Sequence, residues 1–265
     1  MSRTVQEDWV AQSIPELAHR STRRERQREA TYTEIVQVSR DLLAAGAELS
    51  LRAVAARMGV TAPALYRYVA SYQELVDLVA FEIDKAATEG FRAAAATQPN
   101  DDPAGQLLCA SVAFRRWALG SPREFSLVFA NPVAVGACVR RELLTSATSG
   151  HFFNALLIRV WEKYRFPHPE LSELDPTVAG ALEEPLFPID LSLLPDDHRG
   201  LLWVFMNAWA ALYGVVTLEV FGHLDPRIIE SGAMFTAMVH EWMPRLGMVD
   251  EQVRLRALLA SELAR

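Results

Sequence analysis

The sequence predicts an all-α protein: an N-terminal three-helix helix-turn-helix domain followed by a larger helical domain. Three observations predict it. Apolar residues recur at helical spacing through the long segments, as with Leu75, Leu78, Val79, Ile83 and Ala86. Helix-start residues stand before such segments: Ser71 with Glu74 three positions on, Ser121-Pro122 with Glu124, and Asp225-Pro226. Between residues 50 and 75, two short apolar-patterned pieces meet at a glycine, SLRAVAARMGVTAPALYRYVASYQEL.

Residues 1–30 form an N-terminal extension. Trp9, Val10, Ile14 and Leu17 could make a short amphipathic helix. Residues 19–30, HRSTRRERQREA, are an arm in which Arg20, Arg23, Arg24, Arg26 and Arg28 face only two glutamates. Such an arm either stays solvated or touches phosphates and the minor groove, and both readings stay open. A first helix is expected over Thr31–Ala45, with Ile35, Val38, Leu42 and Leu43 on one face and Gly46 as its stop.

Ser50 can cap LRAVAARM, whose Leu51, Val54, Ala55 and Met58 share a face, and Gly59 can end it in left-handed backbone. Thr61 can cap APALYRYV, with Pro63 in the first turn, where no hydrogen bond is lost. Residues 31–77 thus make a helix-turn-helix domain, in which the second helix of the pair reads DNA. Its eight or so residues would extend ~12 Å, comparable to the width of a major groove.

Residues 78–265 are expected to be a helical ligand-binding and dimerisation domain. The fourth helix would run from Ser71 to about Ala96, ~37 Å, and so join the two domains as a lever. QPNDDP at 98–103 is a break, Ala104–Leu119 the next helix, and SPREFSLVFANP a shorter one stopped by Asn131-Pro132. A helix follows over Arg141–Phe166. Residues 167–200 read as loop with one helical stretch at Thr177–Glu184. Arg199–Leu224 is apolar on nearly every side and must be covered all round. After Asp225-Pro226 comes IIESGAMFTAMVHEWM as one helix, closed by Pro244 and Gly247, and EQVRLRALLASELAR is a last one. The two adjacent apolar helices suggest a four-helix dimer interface, two helices per subunit.

Composition narrows the function. The 265 residues are 51% hydrophobic and 22% charged, the profile of an ordinary globular protein. No run of 18 or more uncharged apolar residues is found and no apolar leader opens the chain, so a cytoplasmic protein with no membrane partner is expected. Cys109 and Cys138 are too few and too far apart for a metal site or a disulfide framework. The net charge of −7 is unevenly spread: residues 20–72 hold nine arginines against five acids, leaving −11 for the remainder. A basic segment on an acidic body suits a DNA reader. Phosphate-loop, GxSxG, HExxH and CxxC motifs are absent, and the histidines at 19, 151, 168, 198, 223 and 240 lack metal-ligand spacing. No catalytic residue, metal or cofactor is therefore assigned.

The string GVTAPALYRYVASYQELVDLV, preceded by SLRAVAARM, resembles the DNA-binding domain of the TetR family of transcriptional regulators. The resemblance covers about 50 residues and rests on Leu65-Tyr66, Tyr68 and Leu75. Tyr72 stands where the family usually has a lysine, offering a hydroxyl in place of a charge. Farther on, SPREFSLVFANPV and WAALYGVVTLEVFGHL resemble a TetR C-terminal subclass through Trp209, Tyr213-Gly214 and Glu219, with Tyr in place of the usual His. The resemblance implies a homodimeric regulator, most simply a repressor, that leaves a palindromic operator when a small molecule binds.

Candidate DNA contacts are Ser50 and Arg52 from the preceding helix, then Thr61, Ala62, Ala64, Tyr66, Arg67 and Tyr68, and Tyr72. Arg67 is the long cation of the reading helix and the candidate for a guanine edge or a phosphate; Leu65 and Val69 fit the inward side. Aromatics on the helices that would enclose a pocket, Phe114, Trp117, Phe129, Phe152, Phe153, Trp161, Trp203 and Phe205, suggest an apolar or aromatic ligand, with Asn207 as an amide in need of a partner. The dimer interface is expected to use Trp209, Tyr213, Val216, Glu219 and Val220 with Phe235, Met238 and Trp242. Two other readings remain open: a helical small-molecule-binding protein or enzyme with a vestigial helix-turn-helix, and a DNA-binding dimer with no effector.

Overall fold

The computed structural model describes residues 22–130, 147–186 and 188–265. The expected amphipathic piece at Trp9–Leu17, His19, Arg20 and Cys138 lie outside them. Among the described residues there are twelve α-helices and no strand.

Helix α1 spans Arg23–Ala44 and starts eight residues before the expected Thr31. Thr22 caps it by accepting from the Glu25 N–H, and the Glu25 carboxylate accepts from the Thr22 N–H at 2.6 Å. This capping box satisfies two orphan N–H groups. Most of the arginine arm is therefore the first two turns of α1. Its charged residues carry no apolar periodicity, which is why the pattern does not show the start.

Helix α2, Leu51–Met58, is capped by Ser50 on the Ala53 N–H and closed by Gly59 at φ +69°. Helix α3 is only Ala62–Leu65, half the expected length. Beyond it the chain continues in tighter bonds, from Arg67 N–H to Ala64 and from Tyr68 N–H to Leu65. Helix α4, Tyr72–Ala95, is capped by Ser71 and extends ~36 Å. Its first half packs Leu75, Val76, Val79 and Ile83 against Ile35, Leu42, Val54, Leu65 and Val69, closing a small core of its own for the head.

The body begins with α5, Pro103–Gly120, whose cap Asp102 accepts from the Gly105 N–H at 3.0 Å. Around α5 lie α4, α6 (Pro122–Phe129), α7 (Thr148–Tyr164), α9 (Leu201–Val220) and α12 (Gln252–Leu263). Phe114 on α5 is wholly buried at the centre. The expected helix from Arg141 starts in residues that are not described; from Thr148 it is helical to Tyr164. Helix α8, Pro176–Glu183, interrupts the long loop near the expected place.

Two expectations need correction at the C-terminal end. The single helix expected after Asp225 is two, α10 (Pro226–Ser231) and α11 (Ala233–Arg245), because Gly232 adopts φ +63° between them. Helix α9 is, by length and composition alone, long and apolar enough to cross a membrane. In the fold it packs on α5 and α11, with Leu201, Leu202, Phe205, Leu212 and Val216 buried. It is not covered all round: Met206, Leu218 and Phe221 remain about 40% exposed.

Candidate nucleic-acid interface and effector cavity

The head presents its candidate DNA residues as one surface around α3. Arg52, Thr61, Tyr66, Arg67 and Tyr72 are exposed, while Ser50, Ala62, Ala64 and Tyr68 are half-buried. Leu65 and Val69 point inward, 1% and 0% exposed. The Thr61 side chain makes no cap bond, so its hydroxyl is free at a helix start. The Ser50 oxygen already accepts from Ala53, which leaves its proton to offer a phosphate.

Tyr68 does structural work as well. Its carbonyl accepts from the Tyr32 hydroxyl at 3.1 Å, and the two rings meet edge-on at 5.8 Å. Arg28 in turn donates to the Tyr32 oxygen at 3.2 Å. This relay places a basic residue of α1 beside the end of the reading turn. Tyr32 escapes sequence reasoning; its spacing of four from Arg28 is the signal that could have found it.

In the body, a cavity of about 500 Å³ lies between α5, α7, α9 and α11. Its walls are Leu107 and Leu108, Phe153 and Leu157, Phe205, Trp209 and Leu212, and Met238, Trp242 and Met243, with Phe129 at the end of α6. Ser111, Ser149 and Asn154 supply polar side chains, and each is already engaged. Ser111 donates to the Leu107 carbonyl, Ser149 to Asp84, and Asn154 to the Pro188 carbonyl. Among the described residues the cavity therefore offers an occupant mainly apolar surface, with the indole N–H groups of Trp209 and Trp242 as further donors in its walls.

Of the candidate ligand residues, Phe129, Phe153 and Phe205 line this cavity. The others do not, each for a visible reason. Phe114 lies one layer beneath, its ring 5.7 Å from that of Phe129 and 5.6 Å from that of Trp209. Trp117 turns toward Phe91 and Phe125 and packs on the head core. Phe152 lies under the Arg92 guanidinium. Trp161 packs on His198 and His168, which hydrogen-bond each other at 3.0 Å. Trp203 is half-buried off the cavity, and Asn207 is exposed, its amide donating to the Trp203 carbonyl.

The expected interface residues divide similarly. Trp209, Met238 and Trp242 line the cavity, and Val216, Glu219 and Phe235 are at most 3% exposed within one protomer, so they cannot face a partner. Tyr213 stacks on Trp209 and donates to the Phe129 carbonyl; Val220 is half-buried. Apolar surface does emerge nearby, at Met206, Leu218, Phe221, Ile228 and Met234.

Glu219 is answered by Arg115, whose Nε meets its carboxylate at 2.7 Å and whose Nη2 donates to the Ile229 carbonyl. Burial pushes the Glu219 carboxyl above its usual range, and Arg115 opposes that rise. The pair fixes α5 to α9, and the bond to Ile229 ties both to α10. Among the described residues no group of three or more His, Cys, Asp and Glu side chains could hold a metal.

A small helix-turn-helix head, an exposed arginine beside its reading turn, and a helical body around a closed apolar core define a DNA-binding transcriptional regulator. Residues 107–242 match the family of tetracyclin repressor-like C-terminal domains. The chain belongs to the TetR family of transcriptional regulators, which bind DNA and are not enzymes. It is 28% identical over 222 residues to the HTH-type transcriptional regulators Rv1816 of Mycobacterium tuberculosis (strain ATCC 25618 / H37Rv) and Mb1846 of Mycobacterium bovis (strain ATCC BAA-935 / AF2122/97). Each match covers 79% of this chain and 89% of the relative. The crystal structure of the protein SCO4313 shares the fold with a TM-score of 0.56 at 24% identity, over 84% of this chain and all of that one.

Proposed function

We propose that the protein is a cytoplasmic, ligand-responsive repressor that binds a palindromic operator as a homodimer and leaves it when a small, uncharged apolar or aromatic molecule occupies the body cavity. The apolar cavity carries this reading: among its described walls the Ser111, Ser149 and Asn154 side chains are already hydrogen-bonded and no charged side chain lines it, so a charged occupant would lose its hydration with little replacement. The apolar surface at Met206, Leu218, Phe221, Ile228 and Met234 supports α9, α10 and α11 as the meeting face of two copies. Two reading turns would then enter successive major grooves, with half-site centres ~34–36 Å apart. A ligand that favours one conformation by ~1–3 kcal/mol would weaken operator binding roughly 5–150-fold.

Arg67 is the base reader in this proposal, with Thr61, Tyr66, Tyr68 and Tyr72 on the phosphates and Arg52 and Ser50 beside them. The experiment is selection of bound DNA from a random pool, then titration over a salt series with and without uncharged aromatic compounds. Absence of sequence-selective binding at moderate salt would sink the operator reading. Binding that no apolar compound alters would leave a regulator without an effector.

A further inference from the structure

We infer that Asp84 and Ser149 form the link through which occupancy of the cavity reaches α4 and, along it, the head. This rests on the cavity being a ligand site, as proposed above. Asp84 is 5% exposed, in the middle of α4, and no lysine or arginine pairs with it among the described residues. A buried carboxylate without a cation is costly, and simple packing would be better served by an apolar residue.

The Asp84 carboxylate instead accepts twice from Ser149, from its backbone N–H at 3.1 Å and from its hydroxyl. Helix α7 needs this help. Its own cap residue is Ala147, which has no side chain to satisfy the first-turn N–H groups. Asp84 therefore caps α7 from another helix, with its charge at the positive end of the α7 dipole. Among the described residues, no other α4 side chain hydrogen-bonds to a cavity-lining residue.

The same turn of α7 is cavity wall: Ser149, Gly150, Phe153 and Asn154 all line it. It has little slack elsewhere. A Cβ on Gly150 would stand 2.1 Å from Pro188, and Pro188 is itself held by Asn154. An occupant pressing on this turn shifts the two donors that hold Asp84. Asp84 lies twelve residues from Tyr72, ~18 Å along a continuous helix whose Leu75, Val76, Val79 and Ile83 are fixed in the head core. Displacement at Asp84 is carried into the head as a rigid-body tilt. Asp84 and Ser149 are positioning residues: neither contacts DNA.

The test uses the full chain with the uncharged fluorophore N-phenyl-1-naphthylamine as probe. Deuterium uptake of residues 72–95 is followed with and without probe in the wild type, Asp84→Asn and Ser149→Ala. Ser149→Ala keeps the backbone N–H bond and carries the test if Asp84→Asn does not fold. In the wild type, probe binding is expected to change α4 uptake rates about threefold or more, within the usual range of coupling between sites. In Asp84→Asn, a residue outside the cavity wall, the probe affinity stays within about threefold of wild type while the α4 response vanishes, a split that general destabilisation would not give; in Ser149→Ala, a wall residue, the α4 response at saturating probe vanishes whatever the affinity. A variant response equal to wild type overturns the link, and so does a wild type that binds probe without any α4 response; either leaves the cavity reading intact. A wild type that binds no probe, giving the same blank as a cavity-filled Leu107→Trp, removes the cavity reading and the link with it.

Discussion

Arg40 on α1 donates from Nε to the Glu124 carboxylate on α6 at 2.7 Å, joining the head to the body across 84 positions of sequence. One residue away, Arg123 donates to the carbonyls of Leu43 and Ala44 and so closes the end of α1. Gly46 is needed there for its backbone, at φ +74°, and the Arg123 guanidinium lies over it, 2.6 Å from where a Cβ would stand. The Arg40–Glu124 pair is partly exposed, so Arg40→Ala is expected to cost only about 0.5–1 kcal/mol in thermal or urea unfolding. The charge-swapped double variant Arg40→Glu/Glu124→Arg should recover most of it.

Arg67 is exposed and without an ion-pair partner among the described residues. Arg67→Ala should cost about 1–3 kcal/mol in operator binding and relax preference at one base pair of each half-site. Tyr72→Lys should act differently, tightening binding to all sequences and steepening the salt dependence by about 1 per head. Anisotropy titrations on selected and scrambled DNA separate the two.

The Arg115–Glu219 pair is fully desolvated on the acid side, with side-chain exposures of 11% and 0%. Removing Arg115 alone, as Arg115→Met, leaves a buried charge unanswered and should destabilise by about 3–5 kcal/mol. Arg115→Met combined with Glu219→Leu should be more stable than Arg115→Met alone. A double variant as unstable as the sum of its parts would refute the pairing argument.

Gly200 precedes α9 where the Pro169 carbonyl oxygen approaches to 1.7 Å of the position a Cβ would take. Backbone cannot yield as a flexible side chain can. Gly200→Ala is expected to lose about 1–3 kcal/mol of stability, whereas Gly180→Ala, with open space at its Cβ, should be nearly neutral or stabilising.

Burial resists ionisation of Asp102, but Arg254, which meets it at 2.6 Å, and the Gly105 N–H outweigh burial and hold its carboxyl below the usual range. A depressed carboxyl contributes stability above the ordinary carboxylate range and loses it as pH falls below about 4 through the folded value. The acid limb of a stability–pH profile should therefore be shallower in Asp102→Asn than in the wild type.

The head was legible because its signals are local. Ser50, Gly59, Ser71 and the apolar spacing of α2 and α4 each act within four or five residues, and the helices follow them. The start of α1 is not legible, because Thr22 and Glu25 sit among arginines with no buried face to mark a period. The body is harder to read for a physical reason: an aromatic on an apolar helix looks the same whether it lines a cavity, fills the layer beneath or packs toward the head. Phe129, Phe114 and Trp117 illustrate the three-way choice, which only the packing of α5 against α6 and α9 decides. Glu219 and Asp84 show the converse, since their partners Arg115 and Ser149 lie 104 and 65 positions away.

The four residues of α3 cannot sustain a helix in water, because forming the first turn costs more than so few bonds return. The shape offered to DNA is imposed from outside, by Leu65 and Val69 in the head core and by the Tyr32 hydroxyl on the Tyr68 carbonyl. A synthetic peptide of residues 59–70 should be coil and carry no affinity of its own. Recognition here is a property of the assembled head, so a substitution at Tyr32, which need not touch a base, belongs among those that alter operator choice.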